Sequence, residues 1–97
     1  NIETLNEIFE GVKKKAQKKL EAIVNEIKTK YNIELTYTVE IGEAVDTILE
    51  VAKREKVDLI VLGSHGKSGL EKLLIGSVSE SVVKKAKCSV LVIKGEV

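Results

Sequence analysis

Apolar residues recur every three or four positions through the first third of the chain. This spacing places them on one face of a helix, so it predicts a long amphipathic helix from Glu3 to Lys30. Lysines between Lys13 and Lys19 lie mainly on the opposite side, either as a solvated helix face or as a patch for phosphate or acidic partners. The apolar face comprises Leu5, Ile8, Phe9, Val12, Ala16, Leu20, Ile23, Val24 and Ile27.

The next segment alternates apolar and polar residues from Ile33 to Ile41. A period of two indicates a strand with one buried face, as at the edge of a sheet. Gly42 interrupts the pattern, and the apolar residues that follow Ala44 predict a second helix that ends near Glu55.

The last forty residues predict strand, helix and strand. The run from Val57 to Leu62 is almost continuously apolar, so we expect a strand with both faces covered, as in parallel sheets. A short apolar cluster precedes a helix that opens at Gly76, and a second buried strand ends at Ile93. The cluster, predicted as one helical turn, is Leu70, Leu73 and Leu74, and the apolar stripe of the helix is Val78, Val82, Val83 and Ala86. The element order predicts one α/β domain over residues 1–97 with a parallel sheet and right-handed crossovers.

Composition excludes several classes of function. Sixteen basic and fifteen acidic residues leave a net charge of +1, and three residues are aromatic, which argues against nucleic-acid binding. No apolar run is long enough to span a membrane. Cys88 is the only cysteine, so the chain forms no internal disulfide and suits a reducing compartment. We expect Cys88 to be a small core residue.

Glycines follow the apolar run, and Gly76 with Ser77 opens the next helix. A strand, a glycine-rich loop and a helix start together favour phosphate binding, because exposed N–H groups and the positive helix end attract anions. The alternative is that the glycines only permit positive backbone angles in a turn.

The glycine spacing excludes three known motifs. A P-loop needs a glycine five positions before Gly66, where Val61 stands. The dinucleotide fingerprint needs a glycine at the position of His65. The nucleophile elbow needs one at Leu70, two positions after Ser68.

The spacing that remains, Gly63-x2-Gly66-x9-Gly76-Ser77, resembles the nucleotide motif of the universal stress protein family, and the likeness extends over nearly the whole chain. The resemblance implies an adenine nucleotide alpha hydrolase-like, Rossmann-like architecture of three layers, with strand order 3-2-1-4-5. It also implies binding of ATP, or of AMP or ADP, with Mg²⁺ or Mn²⁺. Residues carried over to the phosphates and ribose are Leu62, Gly63, Ser64, His65, Gly66, Lys67 and Ser68, with Gly76, Ser77 and Val78 closing the far side.

Other interpretations of the polar residues stay open. His65 donates to phosphate or is simply solvated, and Lys67 pairs with phosphate or faces water. The Ser77 hydroxyl donates to phosphate or caps its own helix. Ser79 and Ser81 are interpreted as ordinary residues of the helix surface. We expect no metal cluster of protein side chains, since no second His or Cys accompanies His65.

The resemblance implies a cytoplasmic regulatory homodimer that pairs through the last strand, from Val90 to Lys94. The alternative is a dimerising interaction module of the same fold that binds no nucleotide. No paired carboxylates or activated nucleophile appear, so we expect slow ATP hydrolysis at most and no phosphotransferase activity.

Relative to the family, the chain lacks the first strand, first helix and second strand. Three explanations are open: the sequence omits an N-terminal part, another copy supplies the missing strands by exchange, or the remaining strands form a different sheet. We favour the first, because an unfilled gap exposes two strand edges and an apolar patch.

Overall fold

A computed structural model describes residues 1–64 and 75–94 of the chain. The chain divides into two compact units, Asn1–Ile41 and Gly42–Val97. The predicted helical turn around Leu70–Leu74 lies outside the described residues. The elements are α1 (Ile2–Tyr31), α2 (Ala44–Arg54), β1 (Leu59–Gly63), α3 (Ser77–Lys85) and β2 (Ser89–Ile93).

Helix α1 confirms the long amphipathic helix of the first unit. It begins after Asn1, whose side-chain oxygen accepts a hydrogen bond from the Thr4 N–H at 2.8 Å. It ends at Asn32, which takes the left-handed conformation with φ 52°. Val24 is buried, whereas apolar residues in the first half of the helix are exposed, among them Leu5, Ile8, Phe9 and Val12.

The segment from Ile33 to Ile41 forms no strand, so that prediction is wrong for the described residues. A strand is stable only with a hydrogen-bonded neighbour, and the sheet of the described residues consists of β1 and β2 alone. Alternation of apolar and polar residues is therefore insufficient here. One contact in this segment is local: the Thr38 hydroxyl donates to the Glu40 carboxylate at 2.7 Å.

Helix α2 is capped at its start by Glu43. The Asp46 N–H donates to the Glu43 carboxylate at 2.7 Å. This hydrogen bond is the largest influence that lowers the pKa of the Glu43 carboxyl, and the positive charge of Lys85 acts in the same direction. The carboxylate form of Glu43 is therefore favoured by folding.

The end of α2 determines where β1 begins. The Lys56 N–H donates to the Lys53 carbonyl at 3.2 Å, and the Val57 N–H donates to the Ala52 carbonyl at 3.1 Å. These two bonds form a Schellman motif, in which the residue after the C-cap takes a positive φ. Lys56 takes that conformation, with φ 52°. Because Val57 still bonds back to the helix, the strand predicted from Val57 begins at Leu59.

Strands β1 and β2 are parallel, which confirms the predicted α/β class with a parallel sheet. Leu59 pairs with Ser89 at one end of the register, and Gly63 pairs with Ile93 at the other. One face of this pair packs against both α2 and α3. The buried centre is Val45, Ile60 and Val82, packed against the half-buried Ile48, Leu49, Ala52, Leu62, Ala86, Cys88 and Val90.

The other face of the sheet is exposed, so the prediction that both faces are covered is wrong for the described residues. Its side chains are about half exposed: Leu59, Val61, Leu91 and Ile93. The predicted stripe of α3 also changes, because Val82 is fully buried while Val78 and Val83 are exposed. Cys88 packs against the core, as predicted.

Candidate phosphate-binding site

The end of β1 is hydrogen-bonded to the start of α3. The Ser64 N–H donates to the Ile93 carbonyl at 2.8 Å, which extends the β1–β2 pairing by one residue. The Ser64 carbonyl in turn accepts a hydrogen bond from the Gly76 N–H at 2.5 Å. Ser64 and Gly76 are both buried. The carboxyl end of the sheet and the first residue of the helix are thereby held side by side.

Ser79 adds a second link between these elements. Its hydroxyl donates to the Gly63 carbonyl at 2.5 Å, and the residue is 4% exposed. The prediction of a surface serine is therefore wrong. Ser79 precedes Val82 by three positions and Ala86 by seven, so it lies on the helix face that packs against the sheet. That spacing is the signal in the sequence that identifies this residue.

The first turn of α3 presents backbone donors. Gly76 is the N-cap, and the first intrahelical bond runs from the Glu80 N–H to the Gly76 carbonyl at 3.0 Å. The N–H groups of Ser77, Val78 and Ser79 precede that bond, so the helix itself provides no acceptor for them. Together with the helix dipole, they give this end a partial positive charge of about +0.5. Such an arrangement attracts an anion without any charged side chain.

The helix uses Gly76 as its cap, so the alternative of Ser77 as a capping residue is wrong. Ser77 is the first helical residue, and its side chain is exposed together with that of Val78. Gly76 has φ −67° and ψ 161°. This is ordinary extended backbone, so glycine is not required here by conformation; it leaves the entrance to the helix without a side chain.

The structure brings together the six predicted site residues that it describes. Three come from the end of β1 (Leu62, Gly63, Ser64) and three from the start of α3 (Gly76, Ser77, Val78). The remaining four, His65, Gly66, Lys67 and Ser68, lie outside the described residues. Leu62 is half-buried and contributes to the core beneath the site.

Residues 1–64 and 75–94 contain no group of three His, Cys, Asp or Glu side chains that would hold a metal ion. The acidic residue of the first turn of α3, Glu80, forms an ion pair with Lys84 at 3.2 Å. Within the same described ranges, no helix is both long enough and apolar enough to cross a membrane.

Residues 3–94 match the model of the universal stress protein family. The chain is 40% identical over 92 residues to universal stress protein MJ0531 of Methanocaldococcus jannaschii, covering 95% of this chain and 52% of that protein. It is 36% identical to universal stress protein MJ0577 of the same organism, covering 92% of this chain and 54% of the relative. The chain thus spans about half the length of these relatives.

Solved structures show the same fold. The crystal structure of hypothetical protein PH0823 superposes with a TM-score of 0.74 at 36% identity, covering 89% of this chain and 60% of that one. The structure of hypothetical protein MJ0577 superposes with a TM-score of 0.70 at 32% identity, covering 99% of this chain and 69% of that one.

Proposed function

From the premise that this chain belongs to the universal stress protein family, we propose that it is a regulatory domain that binds ATP or a related adenine nucleotide. The phosphates would bind where β1 ends and α3 begins, at Gly63, Ser64, Gly76, Ser77 and Val78. The glycine spacing that the family uses for nucleotides is intact in the sequence. The proposal also includes Leu62, His65, Gly66, Lys67 and Ser68 as phosphate and ribose contacts.

The observation that carries the proposal is the hydrogen bond from the Gly76 N–H to the Ser64 carbonyl. It fixes the first turn of α3 beside the end of β1, so the donors of Ser77 and Val78 are oriented before any ligand arrives. Donors fixed in advance lose little entropy on binding. Gly63, Ser64, Gly76, Ser77 and Val78 have no ionisable side chain, so none of these five opposes a phosphate.

ATP, ADP and AMP share the phosphate and ribose chemistry that this site suits. Mg²⁺ or Mn²⁺ would enter with the phosphates, since Mg²⁺ commonly binds substrate phosphates with few protein ligands. We expect regulation rather than catalysis, with ATP hydrolysis slow at most. The lone thiol of Cys88 agrees with a cytoplasmic location.

Isothermal titration of the chain with ATP and MgCl₂ tests the proposal, with ADP and AMP titrated in parallel. The decisive variant is Ser77→Asp. A carboxylate in the first turn favours the helix, because it complements the helix dipole, but it repels phosphate. We therefore expect unchanged or raised thermal stability together with a loss of affinity for ATP of about tenfold or more, which corresponds to about 1.4 kcal/mol.

Ser89→Asp is the matched control, since Ser89 is an exposed serine at the opposite end of the sheet. It introduces the same charge and is expected to leave the ATP affinity unchanged. An absence of heat with the folded chain would overturn the nucleotide proposal. Equal loss in both aspartate variants would show that net charge, rather than the start of α3, controls binding.

The exposed sheet face and the second edge of β2 support a dimer, which belongs both to the nucleotide-binding proposal and to the alternative, a dimerising interaction module that binds no nucleotide. Among the described residues β2 pairs on one edge only, with β1. Pairing of two copies from Val90 to Lys94 would use the other edge. Light scattering of the chain across a range of concentrations tests this, and Leu91→Lys should shift the mass toward the monomer because edge lysines oppose strand pairing. A mass of one chain at every concentration would contradict dimerisation.

A further inference from the structure

A pocket of about 410 Å³ lies at the amino end of the β1–β2 sheet, the opposite end from the candidate phosphate site. Its walls are the C-terminal parts of α2 and α3 and the residues that enter the two strands. The apolar lining is Leu49, Ala52, Val57, Ile60, Ala86 and Cys88, and the remaining lining residues are Lys53, Lys56, Lys85 and Lys87. The volume falls in the range of small-molecule sites.

The four lysines give this pocket a strong positive charge. The negative ends of two helices contribute about −0.5 charge each, so four ammonium groups exceed them by about three charges. None of the ten lining residues is acidic. Within the described part of the chain, no carboxylate lies at ion-pair distance from Lys53, Lys56 or Lys87, while Lys85 acts on Glu43 through its charge.

Lys56 is held at this rim in a conformation that favours glycine. Its φ of 52° places it at the position after the C-cap of α2, where Schellman motifs usually have glycine. A side chain with a Cβ is disfavoured in this left-handed region. The lysine there places an ammonium group both beside the negative end of α2, which it complements, and at the rim of the pocket.

An apolar floor under a cationic rim suits one chemical class of ligand. We propose that this pocket binds a small amphipathic anion, with a short apolar body on Ile60 and Ala86 and a carboxylate or phosphate between the lysines. No lining residue is aromatic, so the pocket offers no surface on which a nucleotide base would stack. This site is separate from the phosphate site and does not depend on it.

Octanoate and octyl phosphate are the probes, each titrated into the ¹⁵N-labelled chain and followed by chemical shifts. Octanol, which has the body without the charge, and inorganic phosphate, which has the charge without the body, are titrated alongside them. We expect both amphipathic anions to shift the amides around Ala52–Val57 and Lys85–Cys88 and to bind more tightly than octanol or phosphate. Equal binding of octanol, or of inorganic phosphate, would overturn the proposal, as would no binding of either anion.

Adjacent lysines on α3 provide a matched pair of variants. Lys85 lines the pocket, whereas Lys84 lies outside it and pairs with Glu80. Lys85→Gln should weaken octanoate binding about two- to fivefold, the range of a partly exposed ion pair, and Lys84→Gln should leave it unchanged. Equal losses of octanoate affinity in the two variants would show that the net charge of the chain, rather than this pocket, attracts the ligand, and would overturn the proposal.

Lys56→Gly separates binding from stability. Glycine relieves the positive φ, so the variant should unfold at higher denaturant concentration and yet bind octanoate about two- to fivefold more weakly. Cys88, the only thiol of the chain, provides an independent readout. Saturating octanoate should slow its alkylation by iodoacetamide, and an unchanged alkylation rate would contradict occupancy of this pocket.

Discussion

The two ends of the β1–β2 sheet offer an anion different chemical groups. At the carboxyl end, the donors are backbone N–H groups of Ser77 and Val78, fixed by the first turn of α3 and by the Gly76–Ser64 hydrogen bond. At the amino end, they are ammonium groups on flexible side chains, including those of Lys53 and Lys56. Anion attraction at the carboxyl end depends on the fixed positions of backbone donors, whereas at the amino end it depends on the number of positive charges.

This difference determines which substitutions affect each end. Backbone donors survive replacement of side chains as long as the helix start stays in place, so the carboxyl end is sensitive to the links that hold it. Each lysine contributes separately at the amino end, so single charge changes there produce graded losses. Helix α3 serves both ends, because its start contributes a positive partial charge to the carboxyl end and its last turn contributes a negative one to the amino end.

The largest expected effect on stability comes from a substitution in the core, which lies between the two ends of the sheet. Val82 is fully buried, and Val82→Ala removes two methyl groups and leaves a cavity, at a cost of about 2 kcal/mol in the free energy of unfolding. Urea unfolding measures this cost. Val83→Ala is the control, because Val83 is 48% exposed, and it should change stability by less than about 0.5 kcal/mol. Similar losses in the two variants would contradict the assignment of the buried face.

A substitution at Ser79 should have a smaller effect on stability and should change ligand binding at the carboxyl end only. Ser79→Ala removes the hydrogen bond from the buried hydroxyl to the Gly63 carbonyl, at a cost of about 1 kcal/mol. Because that bond positions the start of α3, ATP affinity should fall with stability, while octanoate binding stays at the wild-type value. Calorimetric titration measures the ATP and octanoate affinities of Ser79→Ala. Ser81→Ala, which makes the same change elsewhere on α3, is the control and should keep both affinities. A parallel loss of both ligands would show that the two ends are not independent.

The smallest effect concerns the start of α2. Folding lowers the pKa of the Glu43 carboxyl, so its contribution to stability is present above the ordinary value of 4.5 and is lost as the pH falls through the lowered value. Glu43→Gln keeps a side-chain oxygen acceptor but does not titrate. The variant should therefore be less stable than the wild type at neutral pH and should approach it in acid.

Urea midpoints measured from pH 7 to about pH 3 follow this difference. Glu50→Gln makes the same charge change within α2, away from the cap, and should show no comparable convergence. If the stability difference for Glu43→Gln stayed constant across that range, the carboxylate would not be the group that caps the helix.

Periodicity and glycine position predict the helices well. The start of α3 at Ser77 follows from Gly76, and α1 follows from its repeating apolar residues. The alternating segment from Ile33 to Ile41 shows the limit of such patterns, because strand formation depends on a neighbour that the local sequence does not supply. The exposed sheet face has the same origin, since coverage of a strand depends on elements distant from it in sequence.

Two further features were not predicted from the sequence, one local and one tertiary. The apolar pattern predicts Val57 as the first residue of a strand. In the structure, Lys56 takes a positive φ, and the Val57 N–H is hydrogen-bonded to Ala52 of α2. No glycine marks that turn, so sequence patterns give no signal for it. The lysine-rimmed pocket joins residues about thirty positions apart, Lys53 and Lys56 with Lys85, and is visible only once the two helix ends meet. At the carboxyl end, the sequence suffices to propose a phosphate site, because the residues of that proposal belong to one motif.

Three hydrogen bonds described above act in series: from Ser64 to Ile93, from Gly76 to Ser64, and from Ser79 to Gly63. They connect β2 to the end of β1 and then to the first turn of α3. A partner that reshapes the edge of β2 therefore acts on the donors of the helix start. By thermodynamic reciprocity, a ligand that favours one arrangement of those donors changes the affinity of the edge for its partner by the same factor. A short series of hydrogen bonds from backbone and hydroxyl groups thus connects the proposed phosphate site with the proposed dimer edge.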